Sequence, residues 1–453
     1  MVSSWERHTR GAKYCRTKAN LRVRWRRLLL CLFLCSQVPA FAQDMQDPET
    51  PAPAQNEPAP FPVAEAKTAP VKGEADAKGD GAQKKEAAAK PLNCSKGFLS
   101  LRTPPPACKA RKQVEYALLP AVFSTKETSF GAAVYGEVSF YSDKKPKTGV
   151  SRTGLALTYT VRKQFIARMP LVVAFQNNDF LIDGAADFRI YPNRYYGLGN
   201  QSDWDYQVYR EDVLNFNYEF RRRVWGPLYM GLTWDLRYVF EVVEGDAFDE
   251  HGKELPSDQP GQMEVDRPAG SDPYLNQAVG LQAVYDTRDN FAYPLKGGYH
   301  RASLRFFDMI FGSAYTYALF TVDLRQYIRL STRQVLVFQL LSEVRDGEAP
   351  FSMQAELGGP SLLRGYFKGR YRAENMALIQ SEYRYPIYKR LSGVAFGSVG
   401  EVYGKGQPFR ADLLRWTLGA GLRFRFGDQT YMRMDVGGNH ETFALIFNGG
   451  QAF

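Results

Sequence analysis

The residues able to do chemistry in this 453-residue chain are few. Past residue 42 three histidines remain, His251, His300 and His440. None stands at a metal-ligand spacing from another ligand. His440 beside Asn439 could belong to a hydrolase site, but spacing places no nucleophile near it. The acids Asp246, Asp249, Glu250, Glu254, Asp258, Glu264, Asp266 and Asp272 could gather a divalent cation or simply form a solvated loop. No residue is therefore assigned a catalytic, cofactor or metal role, and the chain reads as a non-enzyme. The more informative pair is Arg364 and Glu382. Arg364 lies in a run of glycines and small residues, Leu357-Gly358-Gly359-Pro360-Ser361-Leu362-Leu363-Arg364-Gly365-Tyr366, a loop able to fold back on itself. Glu382 alternates in step with Gln380 and Arg384 and out of step with Ile379 and Tyr383. Arginine makes a rigid, two-pronged pair with a carboxylate. At ~4 Å and an effective dielectric near 20 the attraction is about 4 kcal/mol before desolvation is set against it. Such a pair pins a loop; the other reading is two separately hydrated charges.

The elements that must hold these residues are strands. Trp416, Leu418, Ala420, Leu422 and Phe424 alternate with Thr417, Gly419, Gly421 and Arg423. Met230, Leu232, Trp234, Leu236 and Tyr238 alternate with Gly231, Thr233, Asp235 and Arg237. Side chains of a strand point to opposite faces with period two. One face is greasy and aromatic, the other charged or glycine-rich. Repeated over more than 300 residues, this pattern fits lipid outside and a wet lumen inside. We count about sixteen strands between Tyr116 and Phe453, an all-β transmembrane antiparallel β-barrel over residues 113–453. An even count puts both ends on one side, the periplasm. Connections after even strands should then be short: Trp225-Gly226-Pro227 and Ser331-Thr332 fit, whereas Arg288–Gly298 is too long. The acidic segment Gly245–Pro273 and the segment Asp346–Glu374 follow odd strands and should lie outside. Phe443, Leu445, Phe447 and Phe453 share a parity, which gives the last strand an apolar lipid face and an aromatic end, the signal read by outer-membrane assembly machinery.

The net charge of +10 is misleading. Residues 1–42 hold nine Lys/Arg and one acid, +8 in all, which leaves about +2. No nucleic-acid partner is inferred. Arg22, Arg24, Arg26 and Arg27 precede an apolar run from Leu28 to Val38, and Ala40-Phe41-Ala42 gives a small-x-small cleavage pattern. Residues 1–42 thus read as a signal peptide, with a short membrane anchor as the alternative. Residues 43–112, rich in Ala, Pro, Lys and Glu over most of their length, cannot bury a core and read as a flexible, disordered periplasmic tether. Of five cysteines, only Cys94 and Cys108 follow the cleavage site. In an exported chain they suggest one disulfide; two free thiols are the alternative.

Several segments, in order, resemble the BamA/TamA-type outer-membrane barrels, also called the bacterial surface antigen family. Leu363-Arg364-Gly365-Tyr366 after Gly358-Gly359 is similar to the sixth outer loop of that family. Ser381-Glu382-Tyr383-Arg384-Tyr385-Pro386 is similar to its twelfth strand, Tyr285-Asp286-Thr287-Arg288-Asp289-Asn290 to a further signature, and Ile446–Phe453 to its closing strand. The resemblance implies a sixteen-stranded outer-membrane barrel of a Gram-negative bacterium, with first and last strands meeting at a weak seam. It implies help with protein or lipid insertion or translocation, with outer-membrane lipid, the assembly machinery and unfolded substrate proteins as partners and no cofactor. A structural pore or surface antigen without insertase activity is the alternative. Two departures stand out. Residues 43–112 have neither the length for several POTRA modules nor the pattern for one, so the expected protein lacks them. Ser398 stands where the thirteenth strand of the family carries an Asp that helps hold the loop arginine, which leaves Glu382 as the better anchor partner.

Overall fold

The computed structural model describes residues 114–143, 148–256, 258–290, 293–425 and 431–453. The expected signal peptide, the tether and the Cys94–Cys108 pair lie outside these residues. Among them, sixteen strands close into one antiparallel barrel. They are β1 (Val114–Thr125), β2 (Ser129–Phe140), β3 (Ser151–Thr160), β4 (Phe165–Phe175), β5 (Phe180–Tyr195), β6 (Tyr206–Trp225), β7 (Leu228–Phe248), β8 (Tyr274–Asp286), β9 (Gly297–Phe307), β10 (Tyr317–Arg329), β11 (Val335–Gly347), β14 (Asn375–Tyr388), β15 (Leu391–Tyr403), β16 (Arg415–Arg425), β17 (Tyr431–Gly438) and β18 (Phe443–Gly449). Two short strands, β12 (Ala355–Leu357) and β13 (Tyr371–Ala373), pair only with each other within the connection from β11 to β14.

Period two explains the barrel. On β16, Trp416, Leu418, Leu422 and Phe424 are exposed on the outside, while Thr417 and Arg423 are buried inside. On β14, Ile379 points out, and Gln380, Glu382 and Arg384 are buried. A slip of one residue in any ladder would turn arginines to lipid and leucines to the lumen, so register is strongly specified. Closure pairs the strands around the ring, as an apolar medium requires of backbone polar groups, with the least pairing between β1 and β18.

The strands β5, β6 and β7, of 16, 20 and 21 residues, exceed the ~10 residues that cross a membrane. Apolar alternation marks only their spanning portions. Their ladders continue beyond it at the end of the barrel that carries the long connections. The opposite end has short turns, such as Gly226-Pro227 and Lys389-Arg390. In the over-long β8–β9 connection, Asp289 Oδ1 accepts from the backbone N–H groups of Leu295 at 2.9 Å and Lys296 at 3.3 Å. The acidic β7–β8 connection is anchored rather than wholly solvated. Its short helix α1 (Gln262–Asp266) buries Met263 against Tyr195, Tyr209 and Phe351.

Two features of the closing region differ from neighbouring ladders. β1 and β2 pair at twelve positions from Val114↔Phe140 to Thr125↔Ser129; β1 and β18 share one registered pair, Ser124↔Phe447. The last strand also stops at Gly449, short of the expected Phe453. Gly450 adopts φ +80°, a left-handed turn that suits glycine. The chain then folds inward, and Phe453 packs against Tyr327, Val335 and Val337. Phe443 and Leu445 face outward and exposed, and Phe447 is half-buried. Phe453 therefore does not share their face.

Candidate functional site

The β11–β14 connection turns back into the lumen. Its backbone is bent by Gly358 at φ +106°, Gly359 at +99° and Gly365 at +134°. Only glycine takes these values cheaply. Gly365 is needed for closeness as well: a Cβ there would lie 2.7 Å from the Gly438 Cα on β17. Leu363 holds the left-handed region at φ +47° without that freedom, and the buried cluster around it stabilises the bend. Leu363, Tyr366 and Tyr371 pack there with Leu357, Met376, Leu378 and Val402.

This bend delivers Arg364, fully buried, to the barrel wall. Its Nη1 lies 3.0 Å from Glu382 Oε2 on β14 and donates to Asp435 Oδ2 on β17 at 2.9 Å. The guanidinium carbon sits 3.3 Å from the centre of the Phe396 ring on β15, a cation–π contact. Each acid is shared. Glu382 Oε1 also takes Arg384 Nε at 2.8 Å, and its Oε2 has Arg423 Nη2 at 3.3 Å. Asp435 also engages Arg423 and, at 3.6 Å, Arg433 Nη1. Arg433 Nη2 donates to the loop carbonyl of Pro360 at 2.9 Å. The loop is thus held from β14, β15 and β17 together, with Arg423 of β16 bridging the two acids.

Ser398 is not among the contacts of Arg364. Its hydroxyl donates to Gln380 Oε1 at 3.3 Å across the β14–β15 pair. The carboxylate missing at that position is supplied from β17 by Asp435, which the sequence reading passed over. Its signal was visible: Asp435 alternates in step with Arg433 and out of step with Met432, Met434 and Val436.

Beyond Arg364 the loop tip crosses the outer part of the closing region. Tyr366 donates to Glu441 Oε2 and accepts from Asn439 Nδ2, both at 2.7 Å, on the β17–β18 turn. On the other side, Lys126 in the β1–β2 turn donates to the Gly365 carbonyl at 3.2 Å and to the Thr442 hydroxyl. Glu127 accepts from the Lys368 N–H at 2.8 Å. Gly365 to Lys368 therefore bridges the two strands that share a single ladder pair.

The Omp85 superfamily domain matches residues 130–453, most of the chain and all of this site except Lys126 and Glu127. The chain belongs to the Omp85 superfamily. Among curated proteins none matches it in sequence. Among solved structures, it is similar to a BamA from Haemophilus ducreyi lacking POTRA domains 1–3, at 12% identity and a TM-score of 0.48, over 74% of this chain and 70% of that one. It is also similar to CdiB from Acinetobacter baumannii, at 12% identity and a TM-score of 0.47, over 75% of this chain and 60% of that one. In this Omp85 barrel, then, an arginine on a lumenal loop is gripped by two carboxylates, and the tip of that loop reaches both sides of the closing seam.

Proposed function

We propose that this Omp85 barrel lies in the outer membrane of a Gram-negative bacterium, with its long-loop end outside, and assists insertion or translocation of protein or lipid through the β1/β18 seam. The observation that carries this is the contrast at the seam: one registered pair there, twelve in the neighbouring ladder. An exposed strand edge templates pairing with another strand. A seam with so few backbone hydrogen bonds exposes such an edge at the lowest cost in the barrel, and a parting seam also disturbs the lipid beside it. Neither process needs covalent chemistry. The lumenal loop supplies control. Its anchor fixes the tip, and the tip ties Lys126 and Glu127 on one side to Asn439, Glu441 and Thr442 on the other. We further propose that Phe443, Leu445 and Phe447 form the outward face read during assembly, that Cys94 and Cys108 are joined, and that unfolded outer-membrane proteins and the assembly machinery are the partners.

Depletion of the protein tests this reading. Outer-membrane fractions from depleted cells should lose specific proteins or show altered lipid content. Unchanged protein and lipid composition would favour a structural pore or surface antigen instead.

A further inference from the structure

The loop anchor contains more positive charge than its carboxylates balance. Arg364, Arg384, Arg423 and Arg433 are each at most 2% exposed, and Glu382 and Asp435 are fully buried. Arginine does not give up its proton in proteins. Among the described residues, four cations therefore face two anions, an excess of two. A chain end at Phe453, whose carbonyl oxygen accepts from Arg384 Nη2 at 3.1 Å, adds one carboxylate and still leaves one positive charge over.

The donors tell the same story independently. Among the described residues, Arg364 Nε and Nη2, Arg384 Nη1, Arg423 Nε and Arg433 Nε are buried without a hydrogen-bond partner. Arg364 engages both acids through Nη1 alone. Its Nε–Nη2 edge, the edge that gives an anion two parallel N–H bonds, is left without a hydrogen-bond partner. Arg364, Arg423 and Arg433 all converge on Asp435, which gathers three guanidinium groups around one carboxylate. Water satisfies N–H groups but does not cancel charge, and uncompensated buried charge is strongly unfavourable.

We propose that the barrel binds a small inorganic anion against the Nε–Nη2 edge of Arg364, among Arg423 and Arg433, and that this anion completes the anchoring of the lumenal loop. Halide and phosphate share the required chemistry, and the test separates them.

The full chain, folded in detergent, is dialysed into gluconate and titrated at constant ionic strength with chloride, bromide or phosphate while the thermal midpoint is followed. A saturable rise with one class of anion is expected, halide or phosphate according to which one occupies the site. Crystals soaked in bromide, or in phosphate if that arm responds, should show a peak at the open Arg364 edge, anomalous in the case of bromide. Arg433→Gln removes one excess charge and should raise the half-saturating concentration at least tenfold; the comparison is of anion response, so a lower starting midpoint does not affect it. The proposal is overturned if all anions give the same midpoint. It is also overturned if the rise persists unchanged in Arg433→Gln with no density beyond water at that edge.

Discussion

Arg364 concentrates the energetics of the site at a single atom, because Nη1 touches two buried carboxylates. Without Arg364, Glu382 keeps Arg384 and Arg423, and Asp435 keeps Arg423 and Arg433. The cost thus falls below the ~3–5 kcal/mol of stranding a buried charge and lies in the freed loop. Arg364→Ala should therefore lower the barrel's melting midpoint and speed proteolysis between residues 357 and 374. Asp435→Asn and Glu382→Gln should cost similar amounts, since each acid faces three arginines. Arg364→Ala combined with Asp435→Asn should cost less than the two singles added, with a coupling of about 0.5–3 kcal/mol; strict additivity in denaturation midpoints would mean that the two groups do not meet. Ser398→Asp gains no arginine and buries a carboxylate beside Gln380, so it should destabilise the barrel. The loop carries a second, pH-sensitive ion pair outside the spanning strands. Burial would push the Glu356 carboxyl up, but the neighbouring Arg372 and Lys368 charges bring it below its ordinary value of 4.5; Arg372 Nη2 lies 2.5 Å from it. A carboxyl lowered on folding stabilises above 4.5 and loses that contribution as pH falls through its folded value. Loop proteolysis should accelerate as pH falls below 4.5, and Glu356→Gln should flatten that dependence; an identical pH profile in the variant would contradict the pairing.

Among the elements, the seam and its neighbours should differ in backbone opening. β18 shares seven registered pairs with β17 and one with β1. Amide exchange should be fastest in β1 and β18 and slowest in β10 and β11, which pair at thirteen positions. Lys126→Ala removes the bond to the Gly365 carbonyl and should raise exchange at β1 and β18 alone; a change spread over all strands would mean general destabilisation instead of a loosened clasp. The spanning strands were legible in the sequence because lipid enforces period two on their outer faces. Trp416 to Phe424 and Met230 to Tyr238 are examples. What lay beyond that rule was not legible. β12 and β13 are three residues each, with five of their six residues buried, so they carry no alternation. The upper parts of β5 to β7 mix polar and apolar residues on both faces. Phe453 keeps the parity of Phe447 in sequence, but Gly450 breaks the strand before that parity can act. Asp435 was readable as lumenal, yet no sequence spacing connects it to Arg364, 71 positions away.

For the whole molecule, the sixteen-strand count puts both ends of the barrel on one side and the two longest connections, β7–β8 and β11–β14, on the other. Protease added to intact cells should cut the β7–β8 connection, at residues 249–254 rather than in α1, where Met263 is buried. Protection in intact cells with cleavage only after lysis would invert the topology. The account rests finally on the seam. Residues directly opposite in an antiparallel ladder have Cα atoms about 4.5–5.5 Å apart, within the ~4.4–6.8 Å a disulfide spans. The decisive measurement uses Ser124→Cys with Phe447→Cys, in a chain whose native cysteines are replaced by serine, as the sole copy in depleted cells. Oxidised, the lock should close the seam and reproduce the outer-membrane protein or lipid defect of depletion; reduced, it should restore the normal composition. Full activity with the disulfide quantitatively formed would contradict the claim that the seam must part.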